Sequence, residues 1–201
     1  MDTRTAILEK NFEAIHKSGF QAVRTDKVVA DLGITKGAFY HYFPDKLAMG
    51  YAIVEEIIYP MFVGLWQKTL AQVLENQVNS VESIANAVNQ IKAQANKDNI
   101  SLGCPLNNLV QEMSSIDEVF RKKLSAILNK ELELIQQIIQ QGIDKQEIKA
   151  SIDVYGTACF ILAGIEGSYT LGKSKNSLEA FLASMDSLFF FLECLENKTH
   201  S

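Results

Sequence analysis

Apolar positions recur at helical spacing along almost the whole of this 201-residue chain. No stretch alternates in the two-residue rhythm of a strand. Residues 3–18 set Ile7, Leu8, Phe12 and Ile15 on one face, and Gly19 closes that helix. Thr25, followed by Val28, Val29 and Leu32 on one face, predicts a short helix with Thr25 as its N-cap. Gly33 can take the left-handed conformation that ends it. Thr35 then caps a second short helix, and Pro44 prevents it from running on. From Asp45 the pattern continues to about Asn76 with Pro60 inside. That proline predicts a kink, either a hinge or a bend without a role. Further helices are predicted over 80–95, 105–113, 117–141, 153–171 and 177–196, with a loop from Gly142 to Ala150. The predicted fold class is all-α.

The second short helix carries the most chemistry. At about 100° per residue, Phe39 and Phe43 share one side, which must be buried against the preceding helices. Gly37 and His41 fall opposite, with Lys36 and Tyr40 on one edge and Ala38 and Tyr42 on the other. A solvated helix has no internal reason to expose a glycine beside aromatic rings. A helix approaching a nucleic acid does: glycine admits close backbone approach, Tyr and His bond phosphates or base edges, and Lys36 neutralises a phosphate. Lys46 and the backbone N–H groups that open the next helix form a second anion site, and Thr25 can do the same one helix earlier. The competing reading is an ordinary helical hairpin with a meaningless outer face.

Charge qualifies this picture. The chain carries 19 basic and 24 acidic side chains, a formal −5, whereas a nucleic-acid-binding domain is often strongly basic. Residues 1–50 hold seven Lys/Arg and six Asp/Glu, and residues 51–201 hold twelve and eighteen. The acidity therefore sits outside the helix pair. Hydrophobic content of 47% suffices for a core. No apolar run reaches the length of a membrane span, and the N-terminus lacks the pattern of a signal peptide. Three cysteines without paired spacing fit a reducing compartment, so the expected location is cytoplasmic.

The segment Gly19-Phe20, Thr25, Val28-Val29-Ala30, Gly33-Ile34-Thr35-Lys36-Gly37, Phe39-Tyr40-His41-Tyr42-Phe43 and Asp45-Lys46 resembles the DNA-binding domain of TetR-family transcriptional regulators. The resemblance covers about the first fifty residues. It implies a dimeric, all-helical, ligand-responsive regulator, usually a repressor. A three-helix helix-turn-helix domain (1–48) would bind operator DNA, and a larger helical domain (49–201) would bind the effector and dimerise. The family's DNA-contacting positions carry over onto Thr25, Thr35, Lys36, Gly37, Tyr40, His41 and Lys46.

Beyond the helix pair the signals are coarser. Leu178, Phe181, Leu182, Met185, Leu188, Phe189, Phe190, Phe191, Leu192 and Leu195 are too many apolar groups for one stripe. Gly156, Ala163, Gly164 and Gly167 on the preceding helix leave room for close approach. Together these predict a homodimer through the last two helices, closing as a four-helix bundle. The expected effector is a small, mainly apolar molecule among Met61, Phe62, Trp66, Phe120, Tyr155, Phe160 and Tyr169. Cys104, just before Pro105 at a helix start, is either a reactive thiol or inert core, and electrophile-sensing members of the family carry a similar segment. Cys159 and Cys194 read as core. No cofactor loop or nucleophile elbow is present. Glu13 and His16 match a Glu-x-x-His spacing but have no second copy. The alternative function is a helical-bundle enzyme or small-molecule carrier.

Overall fold

The computed structural model describes residues 2–197, and these are helical almost throughout. The helices are α1 (Thr3–Ser18), α2 (Thr25–Asp31), α3 (Lys36–Tyr42), α4 (Lys46–Ile53), α5 (Tyr59–Leu74) and α6 (Ser80–Gln94). They continue as α7 (Lys97–Leu102), α8 (Pro105–Met113), α9 (Glu118–Asp144), α10 (Val154–Lys175) and α11 (Leu178–Leu195). The one extended pairing among the described residues is a single antiparallel bridge between Ile148 and Glu196.

Most boundaries follow from local chemistry. Asp2, Thr35, Asp45, Asn79, Asp153 and Ser177 each cap a helix by accepting from a backbone N–H in the first turn, which satisfies donors that a helix start leaves orphaned. Helix α7 adds to the predicted elements. Asn96 caps it reciprocally with Asn99, and a helix this short leaves little periodicity to read. Gly142 does not begin a loop, because α9 runs through it to Asp144. A Cβ there would lie 2.6 Å from Ile148 Cδ1 and 2.9 Å from Ser80 Cβ. The glycine serves close packing rather than chain reversal.

Pro60 acts differently from a simple kink. The five residues before α5, Val54–Ile58, form a π turn, in which the Tyr59 N–H reaches back to Val54 O. Proline cannot donate to the carbonyl four residues earlier and its ring crowds that group. One widened turn absorbs both problems. Helical residues 46–74 also correct an expectation about length. They include an 18-residue window of mean hydropathy 1.3, long and apolar enough to cross a membrane on those criteria alone. Much of that apolar surface is spent inside the protein, on Met49, Ile53, Val54, Ile58, Val63 and Trp66, all buried.

The chain packs as two compact units. The first joins the N-terminal segment through Met61 to Pro105–Ile127. The second joins Phe62–Cys104 to the chain from Leu128 onward. These packing units do not follow a single cut after residue 48, because Pro105–Ile127 returns to the N-terminal segment. In the first unit Phe120 is fully buried, edge-on to Phe20 at 4.8 Å and to Tyr51 at 5.0 Å. Arg4 forks onto Glu56 at 2.5 and 2.6 Å, and Tyr51 donates to Asp117 at 2.9 Å. A Cβ on Gly50 would stand 2.5 Å from Phe20 Cε2 and 2.7 Å from Phe120 Cζ. Gly50→Ala is therefore expected to destabilise by about 1–3 kcal/mol through overpacking, read as a lower denaturation midpoint. In the second unit α10 and α11 pack closely, with Gly164 against Leu188 and Gly172 against Phe181 and Ile100.

Candidate nucleic-acid interface

Helices α2 and α3 are set by short-range rules. Gly33 sits at φ +68° with open space around its missing side chain, so backbone conformation rather than crowding favours glycine there. Thr35 Oγ1 accepts from Ala38 N at 3.2 Å, and Phe43 before Pro44 is extended, as a residue preceding proline prefers. Phe39 and Phe43 are buried and 5.9 Å apart, and they anchor the underside of α3. Lys36, Gly37 and His41 are exposed, and Tyr40 is 59% exposed. Thr25, Asp26, Val29, Lys36, Phe39 and Tyr40 line one depression of about 240 Å³. Thr25 thus meets Lys36 and Tyr40, but not as an N-cap. Arg24 holds the cap position with no side-chain cap bond, and Asp26 in the first turn pairs with Arg24 at 2.9 Å. That pairing holds the Asp26 carboxyl below its ordinary range.

Lys46 is turned inward. Its ammonium donates to Val23 O at 2.6 Å and Gln21 O at 3.2 Å, and lies 4.8 Å from the centre of the Phe20 ring. Partial burial lowers its pKa. Glu112 holds the same loop by accepting from Phe20 N and Gln21 N, both at 2.8 Å. Lys46 is thus committed to fixing the loop that leads into α2 rather than extended to a phosphate. Lys46→Met is expected to weaken DNA binding while leaving the salt dependence of the affinity unchanged, because no phosphate partner is lost. Salt titrations of both proteins on one duplex check this.

The expected effector residues separate into four places. Phe120 is core of the first unit, as described above. Tyr155 and Phe160 are 60% and 55% exposed on the outside of α10, because periodicity identifies a face without naming the neighbour that face meets. Phe62 is half-buried in the second unit. Trp66, Cys104 and Tyr169 belong to a polar cluster inside the second unit, joined by two glutamates. Trp66 Nε1 donates to Glu131 Oε1 at 3.2 Å, and Cys104 Sγ donates to Glu166 Oε1 at 3.3 Å. Tyr169 packs 5.0 Å from Phe181. Glu131 is 2% exposed, and its second oxygen, like that of Glu166, is buried without a hydrogen-bond partner.

Burial, reinforced by the neighbouring Glu166, pushes Glu131 up to about 8. Burial pushes Glu166 to about 7, opposed by the Cys104 bond. Burial also raises Tyr169. Sequence reasoning passes over both acids, although a signal exists. Glu131 interrupts the buried stripe of Leu124, Ile127, Leu134 and Ile138 at helical spacing, and Glu166 is the one acid of α10. Cys104 is buried, with its sulfur 3.3 Å from Glu166 Oε1. His16 stacks on Phe12 at 6.1 Å. Among the described residues no group of three ligands could hold a metal.

The last two helices divide the apolar run expected at an interface. Phe181, Met185, Leu188, Leu192 and Leu195 are buried within the unit. Phe190 is 70% exposed, and its sequence neighbour Phe191 meets Phe160 with ring centres 4.6 Å apart and planes tilted by 57°. Cys194, expected in the core, is exposed, and Cys159 is half-buried. Tyr155 and Leu171 on α10 are exposed apolar side chains as well.

A glycine-jointed helix pair whose second helix is anchored by aromatics and presents Lys, Gly, Tyr and His defines a helix-turn-helix protein. Residues 7–52 match the model of the bacterial regulatory proteins of the tetR family, and residues 80–187 match the tetracyclin repressor-like C-terminal domain. The chain belongs to the TetR family and is a DNA-binding transcriptional regulator. It is 27% identical over 191 residues to an HTH-type transcriptional regulator from the lacX 3' region of Lactococcus lactis subsp. lactis, covering 93% of this chain and 91% of that one. It is 24% identical over 182 residues to the HTH-type transcriptional repressor DhaR of Mycobacterium sp. (strain GP1), covering 89% and 88%. Its fold is similar to that of a TetR-family transcriptional regulator from Cytophaga hutchinsonii, with a TM-score of 0.80 at 22% identity, covering 98% and 96%.

Proposed function

We propose that this regulator is a ligand-released repressor that binds a palindromic operator as a homodimer. The observation that carries the reading is the outer side of α3, where Lys36, Gly37, Tyr40 and His41 stand exposed over the buried Phe39 and Phe43. In this reading Tyr40 and His41 contact base edges or phosphates, and Gly37 lets the backbone approach. Lys36 neutralises a phosphate. Thr25 and Thr35 donate their hydroxyls to phosphates, since the Thr35 cap bond uses only its acceptor side. Lys46 acts through the loop it holds.

Functionally, residues 1–48 read the DNA and residues 49–201 carry effector binding and dimerisation. The exposed face of α10 and α11, with Tyr155, Phe160, Leu171 and Phe190, is proposed as the homodimer interface, completing a four-helix bundle with its copy. A dimer fits one palindrome when its recognition helices stand about one DNA turn, ~34–36 Å, or a multiple apart. A small, mainly apolar effector that prefers another subunit arrangement weakens operator binding by its differential affinity. The Trp66 cluster is its proposed seat. Such a protein works beside the chromosome, in the cytoplasm, and performs no catalysis. Selection of binding sites from random duplexes, followed by sedimentation of the complex, tests the reading. An inverted repeat bound by two chains supports it; an asymmetric site bound by one chain contradicts it.

A further inference from the structure

Four of the groups that meet inside the second unit are a tryptophan, a thiol and two carboxylates. Glu131 comes from α9, Glu166 and Tyr169 from α10, Trp66 from α5, and Cys104 from the residue before α8. Each glutamate has one oxygen bonded, to Trp66 Nε1 or Cys104 Sγ, and one buried oxygen bonded to nothing. The ion pairs of the described residues are formed by other acids, at largely exposed side chains. Neither carboxylate has a cationic partner among them. Burying one acid without a partner is costly, and placing two within each other's field is more so. An apolar residue at either position would remove that cost. Glu131 and Trp66 are fully enclosed, whereas Glu166 and Tyr169 keep part of their surface exposed. The cluster therefore grades from the interior toward solvent along α10.

Resting on the ligand-released reading above, we propose that the effector carries a positively charged organic nitrogen, a protonated amine or quaternary ammonium, on an apolar body. Its cation lies against the orphaned oxygens of Glu131 and Glu166, and the Trp66 and Tyr169 rings take its apolar part. Carboxylates attract any cation, but the aromatic lining favours a weakly hydrated organic one. A metal ion is disfavoured by the lack of a three-ligand group among the described residues. The ionisable side chains around the cation are Glu131, Glu166, Cys104 and Tyr169. The two carboxyls hold protons near neutrality, so the cation displaces protons as it binds, and its affinity rises with pH.

Trp66 is the single tryptophan of the chain, so intrinsic fluorescence reports directly on this site. The probes are benzyltrimethylammonium and its uncharged isostere neopentylbenzene, titrated into the full-length protein, Glu131→Gln, Glu166→Gln and the double variant. Expected is at least ~10-fold tighter binding of the ammonium than of the isostere to the native protein. That preference should increase from pH 6 to pH 8 and disappear in the double variant, with melting curves confirming that each variant is folded. Equal or tighter binding of neopentylbenzene, an ammonium affinity indifferent to both substitutions, or no response to either probe overturns the cationic assignment. Release of selected operator DNA, followed by anisotropy in the same samples, separates the two levels. Release by neopentylbenzene alone sinks the cation and keeps the ligand-released repressor. Occupancy of the Trp66 site that never releases DNA sinks the latter.

Discussion

Glu131→Gln is expected to stabilise the protein at pH 8 and to do little at pH 5. Glu131 has its pKa raised from an ordinary 4.5 to about 8 by burial and by Glu166. A carboxyl whose folded-state pKa exceeds its unfolded value holds its proton more tightly in the native state. Its contribution to stability is fully present below the unfolded pKa, near 4.5, and is lost as pH rises through about 8. Every pH unit between those two values corresponds to about 1.4 kcal/mol. Glutamine keeps the acceptor for Trp66 Nε1 but cannot ionise, so the penalty that grows with pH disappears. Setting the new amide's own burial against this, the expected gain at pH 8 is about 2–4 kcal/mol. For a chain of this size that is a rise of roughly 5–12 °C in melting temperature. Thermal unfolding of both proteins at pH 5 and pH 8 checks it. A gain of equal size at both pH values would mean that the carboxyl is not the titrating group.

The second large effect is on DNA. The double variant Lys36→Ala/Tyr40→Ala is expected to lose about 100-fold or more in operator affinity, because a dimer loses each contact twice and each is worth about 1 kcal/mol or more. Lys36→Ala alone should weaken binding evenly across sequences and reduce the slope of log K against log salt by about one per subunit. Tyr40→Ala should instead blur the sequence preference. Both side chains are exposed, so neither change should move the unfolding free energy by more than about 0.5 kcal/mol. Fluorescence anisotropy over a salt series separates the two contributions. Loss of affinity accompanied by loss of fold would attribute the effect to the wrong cause.

The parts of this molecule legible in its sequence are those set within a few residues of themselves. Gly33 at positive φ, Thr35 on Ala38 N, Pro44 after an extended Phe43, and the Phe39–Phe43 anchor are all local. Each rule needs only its neighbours, so α3 and its outer face follow from the sequence. What fails depends on contacts distant along the chain. Gly142 looks like a terminator because its tight fit to Ile148 and Ser80 has no trace nearby in sequence. The contacts of Lys46 with the Gln21 and Val23 carbonyls are likewise invisible locally, because those carbonyls belong to another segment. Thr25 loses its cap role to a backbone start one residue earlier, within the slack of any helix boundary.

The effector residues show the same division. Aromatic residues on an apolar helix suggest a core, yet α10 turns Tyr155 and Phe160 outward. Glu131 and Glu166 escape notice in the sequence because charged residues are expected to be solvated. The interruption of a buried stripe by an acid is the available clue, and it marks the polar cluster on which the cationic-effector proposal rests.

Above all, the direction in which Tyr40 faces on bound DNA decides whether α3 is the reading helix. Tyr40 replaced by p-azidophenylalanine, irradiated on a selected operator carrying a radiolabel on each strand in turn, tests that directly. The prediction is a crosslink to bases of the major groove at symmetric positions in the two half-sites, abolished by excess unlabelled operator. A crosslink confined to protein, whether within the chain or to a second copy, while the operator stays bound would contradict it.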